Sequence, residues 1–275
     1  MHVYFKTACY ALMIAGIASI YAPGAYAQTT ASHNSELAVL MKNAQSGDAE
    51  AQFELGMDYF TGTLINKDDA QAAMWISKAA EQGFALSQYE LGVLYYSGKG
   101  VPQDYAQAAI WFRKAAEQGN ASAQFALGTF YQTGNGVLQD SAQAAIWYRK
   151  AAEQGNADAQ CSLGVLYYSG KGVPQDYAQS AIWFRKAAEQ GNAEAQSFLA
   201  GQYGLGNGVL QDYAEAYFWY DIALAGNNED TVQQRELDVN ARDEVASKLT
   251  PAKLQEVQSR ATKWFAQHSS THKAQ

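Results

Sequence analysis

The chain has 275 residues, of which 48% are hydrophobic and 17% charged, and it carries a formal net charge of −8. That composition is too apolar for a disordered chain and supports a buried core. Its acidity and scattered basic residues exclude nucleic acid, whose affinity depends on neutralised phosphates.

The N-terminus holds Lys6, an apolar stretch from Ala8 to Ala22, and Ala25-Tyr26-Ala27 before Gln28. These are the charged, hydrophobic and small-residue parts of a secretory signal, so residues 1–27 are expected to be removed after Ala27. No lipid-attachment pattern lies near that point. Removal takes Lys6, making the remainder one unit more negative, and leaves Cys161 as the lone cysteine, so no intrachain disulfide can form. Beyond the signal no apolar run is long enough for a hydrocarbon layer of about 30 Å, which predicts no membrane span and a soluble protein of the periplasm or the medium. Residues 28–46 read as a linker and an N-terminal cap. Aligning Val39-Leu40-Met41-Lys42 with Trp75-Ile76-Ser77-Lys78 makes Glu36–Ser46 a degraded helix of the kind that follows.

From residue 47 to 226 the sequence repeats. Tryptophans 75, 111, 147, 183 and 219 stand 36 residues apart, and Leu91–Gly119 returns as Leu163–Gly191 with a single change, Ala108 against Ser180. Each copy opens with a glutamine, a leucine and a tyrosine at i, i+3 and i+7 (Gln88, Leu91, Tyr95), one face of a helix. A glycine pair such as Gly98 and Gly100 then breaks the helix. A second helix starts at an acid followed three residues later by an amide or acid, as in Asp104 and Gln107, the pattern of a capping box. Its apolar stripe holds the tryptophan and small alanines, and Lys114, Lys150 and Lys186 sit in its last turns as solvated partners of the helix dipole. Gly119 and its equivalents end it, and Asn120, Asn156 and Asn192 can cap the helix that follows. A single pair of this size cannot bury its own apolar face, whereas stacked pairs share a core. The duplicated text is stacking surface.

The fifth copy departs at Ala200 and Tyr217, and residues 227–275 read as C-terminal capping helices and a tail. One helix is expected across about residues 233–249. Thr250-Pro251 opens another, with Leu254, Val257, Ala261, Trp264 and Phe265 on one stripe.

The consensus A-x-A-Q-x-x-L-G-x-x-Y-x-x-G-x-G-V-x-Q-D-x-x-x-A-x-x-W-x-x-K-A-A-E-Q-G, present five times, resembles the Sel-one-like repeat, a relative of the tetratricopeptide repeat. The resemblance implies an all-α fold, a right-handed α-solenoid of five 36-residue helix-turn-helix repeats with helical caps. It also implies a scaffold or adaptor role in protein complexes. The first copy departs from the pattern, with Leu64 for the second loop glycine and Asn66 for the proline.

Material for chemistry is scarce. The histidines beyond the signal, His33, His268 and His272, lie outside the repeats, and Cys161 has no histidine or second cysteine nearby. This predicts no catalytic nucleophile, no metal and no cofactor. Gly98-Lys99-Gly100 lacks the spacing and the hydroxyl of a phosphate loop. Glycoside cleavage needs only paired carboxylates, for which Glu54 and Glu90, at equivalent positions on adjacent first helices, with Asp58 one turn from Glu54, are the candidates. Passive binding of peptidoglycan or another carbohydrate by aromatic platforms is a further alternative.

Comparison among the copies separates constant from variable positions. The variable stripe of the first helix reads Phe53, Met57, Phe60; then Tyr89, Val93, Tyr96; then Phe125, Thr129, Gln132; then Cys161, Val165, Tyr168. Each set shares a helix face. The resemblance puts that face in the concave groove, where aromatic-rich lining suits a protein or peptide. The leading expectation is therefore a non-catalytic, monomeric, exported protein-binding solenoid.

Overall fold

A computed structural model describes residues 35–226 and 232–272, all helix and connecting turn. The expected signal at 1–27, the linker residues 28–34 and the tail at 273–275 lie outside the described residues. The chain divides inside the first helix of the fifth repeat, and the described residues 35–195 and 196–272 form two units.

In the first unit, α1 (35–45) precedes four helix pairs. These are α2 (Ala49–Thr61) with α3 (Asp69–Glu81), α4 (Ala85–Ser97) with α5 (Tyr105–Glu117), α6 (Ala121–Thr133) with α7 (Ser141–Glu153), and α8 (Ala157–Ser169) with α9 (Tyr177–Glu189). Each second helix packs on its own first helix and on the first helix of the next pair. The product is an all-α solenoid.

Local signals set the ends of the elements. Asp104 sits in extended conformation and its carboxylate accepts from the amides of Ala106 and Gln107 at 2.9 and 3.0 Å, with the same arrangement at Asp68 and Asp140. Asn120, Asn156 and Asn192 cap the next helices by accepting from the amides of Ala123, Ala159 and Ala195. Each such cap contributes ~1 kcal/mol. Phe84 occupies that position before α4 and supplies no side-chain cap.

Three repeated contacts join the pairs. The first is a buried amide chain. Gln88, 5% exposed, donates through Nε2 to the Ala80 carbonyl at the end of the preceding helix and accepts from Gln118 Nε2 at 2.7 Å. Gln124 and Gln160 repeat this with Ala116 and Gln154, and with Ala152 and Gln190. A buried amide left unpaired costs about 1–3 kcal/mol, so the glutamine recurs because each joint needs both of its ends. The second is glycine at close approach. A Cβ on Gly92 would lie 2.6 Å from the Phe112 ring, and one on Gly100, already at positive φ, would lie 1.9 Å from the Asp69 carbonyl oxygen of the previous repeat. The second loop glycine therefore serves the joint between repeats as well as the turn. The third is Arg113, whose Nη2 donates to the Tyr131 hydroxyl of the next repeat at 2.6 Å, a pairing that Arg149 and Tyr167 repeat.

The repeated tryptophan is buried at Trp147, Trp183 and Trp219 and half-buried at Trp75 and Trp111, and Phe112 and Phe184 next to it lie deeper, fully buried. The lysines of the last turns do more than meet the dipole. Lys78, Lys114, Lys150 and Lys186 lie 4.1, 3.8, 4.2 and 4.2 Å over the rings of Trp75, Trp111, Trp147 and Trp183, a cation–π lid on each.

In the second unit, α10 (Ala193–Leu205) leads to α11 (Tyr213–Gly226), α12 (Val232–Ala246) and α13 (Pro251–His272). Both α12 and α13 pack on α11, whose residues are buried from Ala216 through Tyr220. On α13 the predicted stripe buries Val257 and Ala261 to 2% and 1% exposure.

Candidate functional site

The variable stripe of the first helices lies within the first unit for four repeats, and its positions behave differently. Glu50, Leu86, Ser122 and Asp158, three residues before each set on the same helix face, are exposed. Phe53 and Cys161 are buried, at 6% and 3% exposure, and this corrects their assignment to a binding groove. Phe53 packs edge-on against Phe84 with centroids 5.5 Å apart, and Phe84 stands where later repeats place the capping asparagine. A large residue on one side replaces a polar one on the other. Burial and the nearby carboxylates of Glu194 and Asp158 push the Cys161 thiol well above its ordinary range, which disfavours the nucleophilic thiolate. Tyr89 and Phe125 are half-buried and pack on Phe112 and Tyr148, with centroids 5.8 and 5.7 Å apart. This first position of the stripe is chiefly packing.

The remaining candidates, Met57 and Phe60, Val93 and Tyr96, Thr129 and Gln132, Val165 and Tyr168, are all half-buried. Their rings are held from behind. Tyr96 lies 5.5 Å from Tyr105 and 5.8 Å from Phe130 of the next repeat, and Tyr168 lies 5.1 Å from Tyr177. An aromatic fixed on one side and open on the other loses little rotamer entropy when a partner covers it. The Lys67 and Lys99 ammonium groups lie 5.6 and 5.3 Å from the Phe60 centroid, giving the first repeat a cationic flank. In the third repeat the face turns polar. Tyr148 donates to Thr129 Oγ1 at 3.3 Å, and Gln132 keeps a buried Oε1 with no donor among the described residues.

The two carboxylates considered for glycoside cleavage differ. Glu54 is exposed, whereas Glu90 is largely buried and desolvation pushes its carboxyl up to about 7. Asp58 is also raised, by burial first and by the Glu54 charge second. Glu90 is thus not a solvated face acid, and its depth was not legible from the repeat pattern: the other copies put Glu54, Ala126, Ser162 and Phe198 in its place.

Among solved structures, c5321, a protective antigen of uropathogenic Escherichia coli strains displaying an SLR fold, is similar with 36% identity and a TM-score of 0.67. The similarity covers 82% of this chain and 56% of that one, so the chain spans little more than half of c5321. A Sel1 repeat protein from Oxalobacter formigenes is similar with 30% identity and a TM-score of 0.72, over 87% of this chain and 97% of that one. No curated protein matches. Sel1 repeats are matched at residues 49–84, 85–120, 121–156, 157–192 and 193–228, and the chain therefore belongs to the Sel1 repeat family.

Proposed function

We propose that this chain is an exported scaffold, periplasmic or secreted, that binds a protein or peptide along the first-helix face of its repeats. Sel1 repeat proteins are typically protein-interaction scaffolds, generally without catalysis of their own. The observation that carries the finer reading is the half-exposed row of Met57, Phe60, Val93, Tyr96, Val165 and Tyr168, beside helix positions of the same spacing that are buried. Such rows suit segments anchored by side chains in shallow pockets. Export is supported by the N-terminal pattern ending at Ala27, and the antigenic character of c5321 fits it.

The test is capture of partners from the native envelope by residues 28–275, followed by mass spectrometry, with Phe60, Tyr96 and Tyr168 replaced together by alanine in a second bait. The variant is expected to lose its partner by tenfold or more, since anchors of this kind contribute ~2 kcal/mol or more, while melting within a few degrees of the parent. A variant that captures the same partner equally well removes the face from consideration. Intact mass of the exported protein should place its N-terminus at Gln28; a retained apolar segment contradicts export by cleavage.

A further inference from the structure

A second surface runs along the other helix of each repeat. On α5 the residues Ala106, Ile110, Arg113 and Glu117 fall at i, i+4, i+7 and i+11, one stripe, and all four are exposed. Ile110, Ile146 and Ile182 are 46%, 48% and 47% exposed, and Met74 of the first repeat 39%. A β-branched residue left open at the same position of three successive helices is a ladder, unlike the singly scattered apolar residues of an ordinary surface. Beside Ile110 a groove of about 310 Å³ is bounded by α5 on one side and Val137 of the next loop on the other.

The fifth repeat shows what such a stripe accepts. Ala214 and Phe218, in register with Ala106 and Ile110, are only 7% and 4% exposed. Within that unit α13 lies on α11, with the Arg260 guanidinium 3.7 Å over the Phe218 ring and its two terminal nitrogens donating to the Glu215 carboxylate at 2.6 and 2.8 Å. The residues of α13 flanking Arg260 are small and buried, Val257 and Ala261. An amphipathic helix with a narrow seam and a charged flank is therefore an occupant this stripe accommodates in the same polypeptide.

The electrostatics of the open stripes are reversed. Where α11 has Glu215 and Asp221, repeats two to four have Gln107, Gln143 and Gln179, and Arg113, Arg149 and Arg185. Arg113 and Arg149 donate to phenol hydroxyls, which carry no charge, and in the groove beside Ile110 the two cations Arg113 and Lys114 stand against the single carboxylate of Glu117. We propose that the Ile110, Ile146 and Ile182 ladder is a docking surface for an acidic amphipathic helix of a partner protein, whose small apolar seam seats on the isoleucines and whose carboxylates meet the arginines. This surface is separate from the first-helix face, and neither depends on the other.

The probe is a labelled synthetic peptide of residues 251–268 carrying Arg260→Glu, titrated into the purified chain by fluorescence anisotropy. Saturable binding in the micromolar range is expected, weakened at least tenfold by Ile110→Asp with Ile146→Asp and Ile182→Asp. Arg113→Glu with Arg149→Glu should switch preference to the peptide with Arg260 retained. The Phe60, Tyr96 and Tyr168 alanine variant should bind the peptide unchanged, which separates failure of this surface from failure of the first-helix face. Because the isoleucines are exposed the aspartate variant should remain folded by circular dichroism; Ile146→Thr, which keeps the β-branch and removes apolar surface, supplies a second readout with a several-fold loss. Absence of saturable binding, or binding indifferent to both isoleucine variants, overturns the proposal.

Discussion

The repeat array and the C-terminal unit use the same 36-residue template with opposite chemistry at their joints. Between repeats the polar contacts are neutral or carry one charge: amide to amide at Gln118 and Gln88, guanidinium to phenol at Arg113 and Tyr131. In the C-terminal unit opposite charges meet. Arg260 pairs with Glu215, and Arg242 lies 3.7 Å from Asp221. The positions that changed between copies are the ones that made this possible: Arg185 becomes Asp221, the lid Lys186 becomes Ile222, and Ile182 becomes Phe218. A joint that must be repeated is served by groups that bond identically in every copy. A joint made once can use a specific ion pair, which fixes one partner and rejects others.

The largest expected effect tests whether the array is held by its buried rings. Phe112→Ala removes a fully buried side chain that packs on Phe130 at 5.3 Å and on Gly92, and should destabilise the chain by ~3–5 kcal/mol. Trp111→Ala, at the half-buried neighbouring position, should cost roughly 1–2 kcal/mol. Urea unfolding of both variants measures this. If the tryptophan variant proves the weaker of the two, depth of burial is not what stabilises the joint.

That pair of residues also marks how far the sequence could be read. The 36-residue beat, the Asp and Asn caps and the breaking glycines were legible because each acts within a few residues and recurs. Recurrence, however, reports what every joint requires and not how deep a side chain lies. The constant tryptophan ranges from half-buried at Trp75 and Trp111 to buried at Trp147 and Trp183, while the side chain beside it changes type, Ile76, Phe112, Tyr148, Phe184, and is buried throughout. Variation likewise failed as a guide to exposure at Phe53, because Phe84, in the following repeat, changed with it. The half-exposed pairs such as Val93 and Tyr96 were within reach of sequence comparison, since no constant position competes for them. Glu90 was not, because its environment is made by the neighbouring helices.

Glu90 sharpens the comparison as a desolvated carboxyl within the array. Its folded pKa of about 7 exceeds the ordinary 4.5, so the folded state holds a proton that the unfolded chain releases. By linkage its contribution is fully present below pH 4.5 and is lost as pH rises through about 7. Glu90→Gln, which keeps the shape and removes the charge, should raise stability at pH 8 by on the order of 2 kcal/mol and leave pH 4 almost unchanged. Denaturant midpoints across that range check it, and a parallel shift at both pH values would mean that Glu90 is hydrated in the folded state.

The smallest effect separates the two regions by salt. The Arg260 and Glu215 side chains are 44% and 27% exposed, so water screens the pair, and even with bidentate geometry Glu215→Gln should cost only ~0.5–1 kcal/mol. Raising the salt to 1 M shortens the screening length from about 10 Å to about 3 Å and should weaken the same contact. The neutral joints between repeats have no comparable dependence. Hydrogen exchange resolves the difference locally: at high salt, or in the Glu215→Gln variant at low salt, amides of α13 should exchange several-fold faster, whereas those of α5 should hold their rates. The two perturbations should not add, because each removes the same attraction. Equal acceleration in α5 and α13 would show that the charged and neutral joints respond as one, and the distinction between a repeated contact and a closing one would have no energetic content.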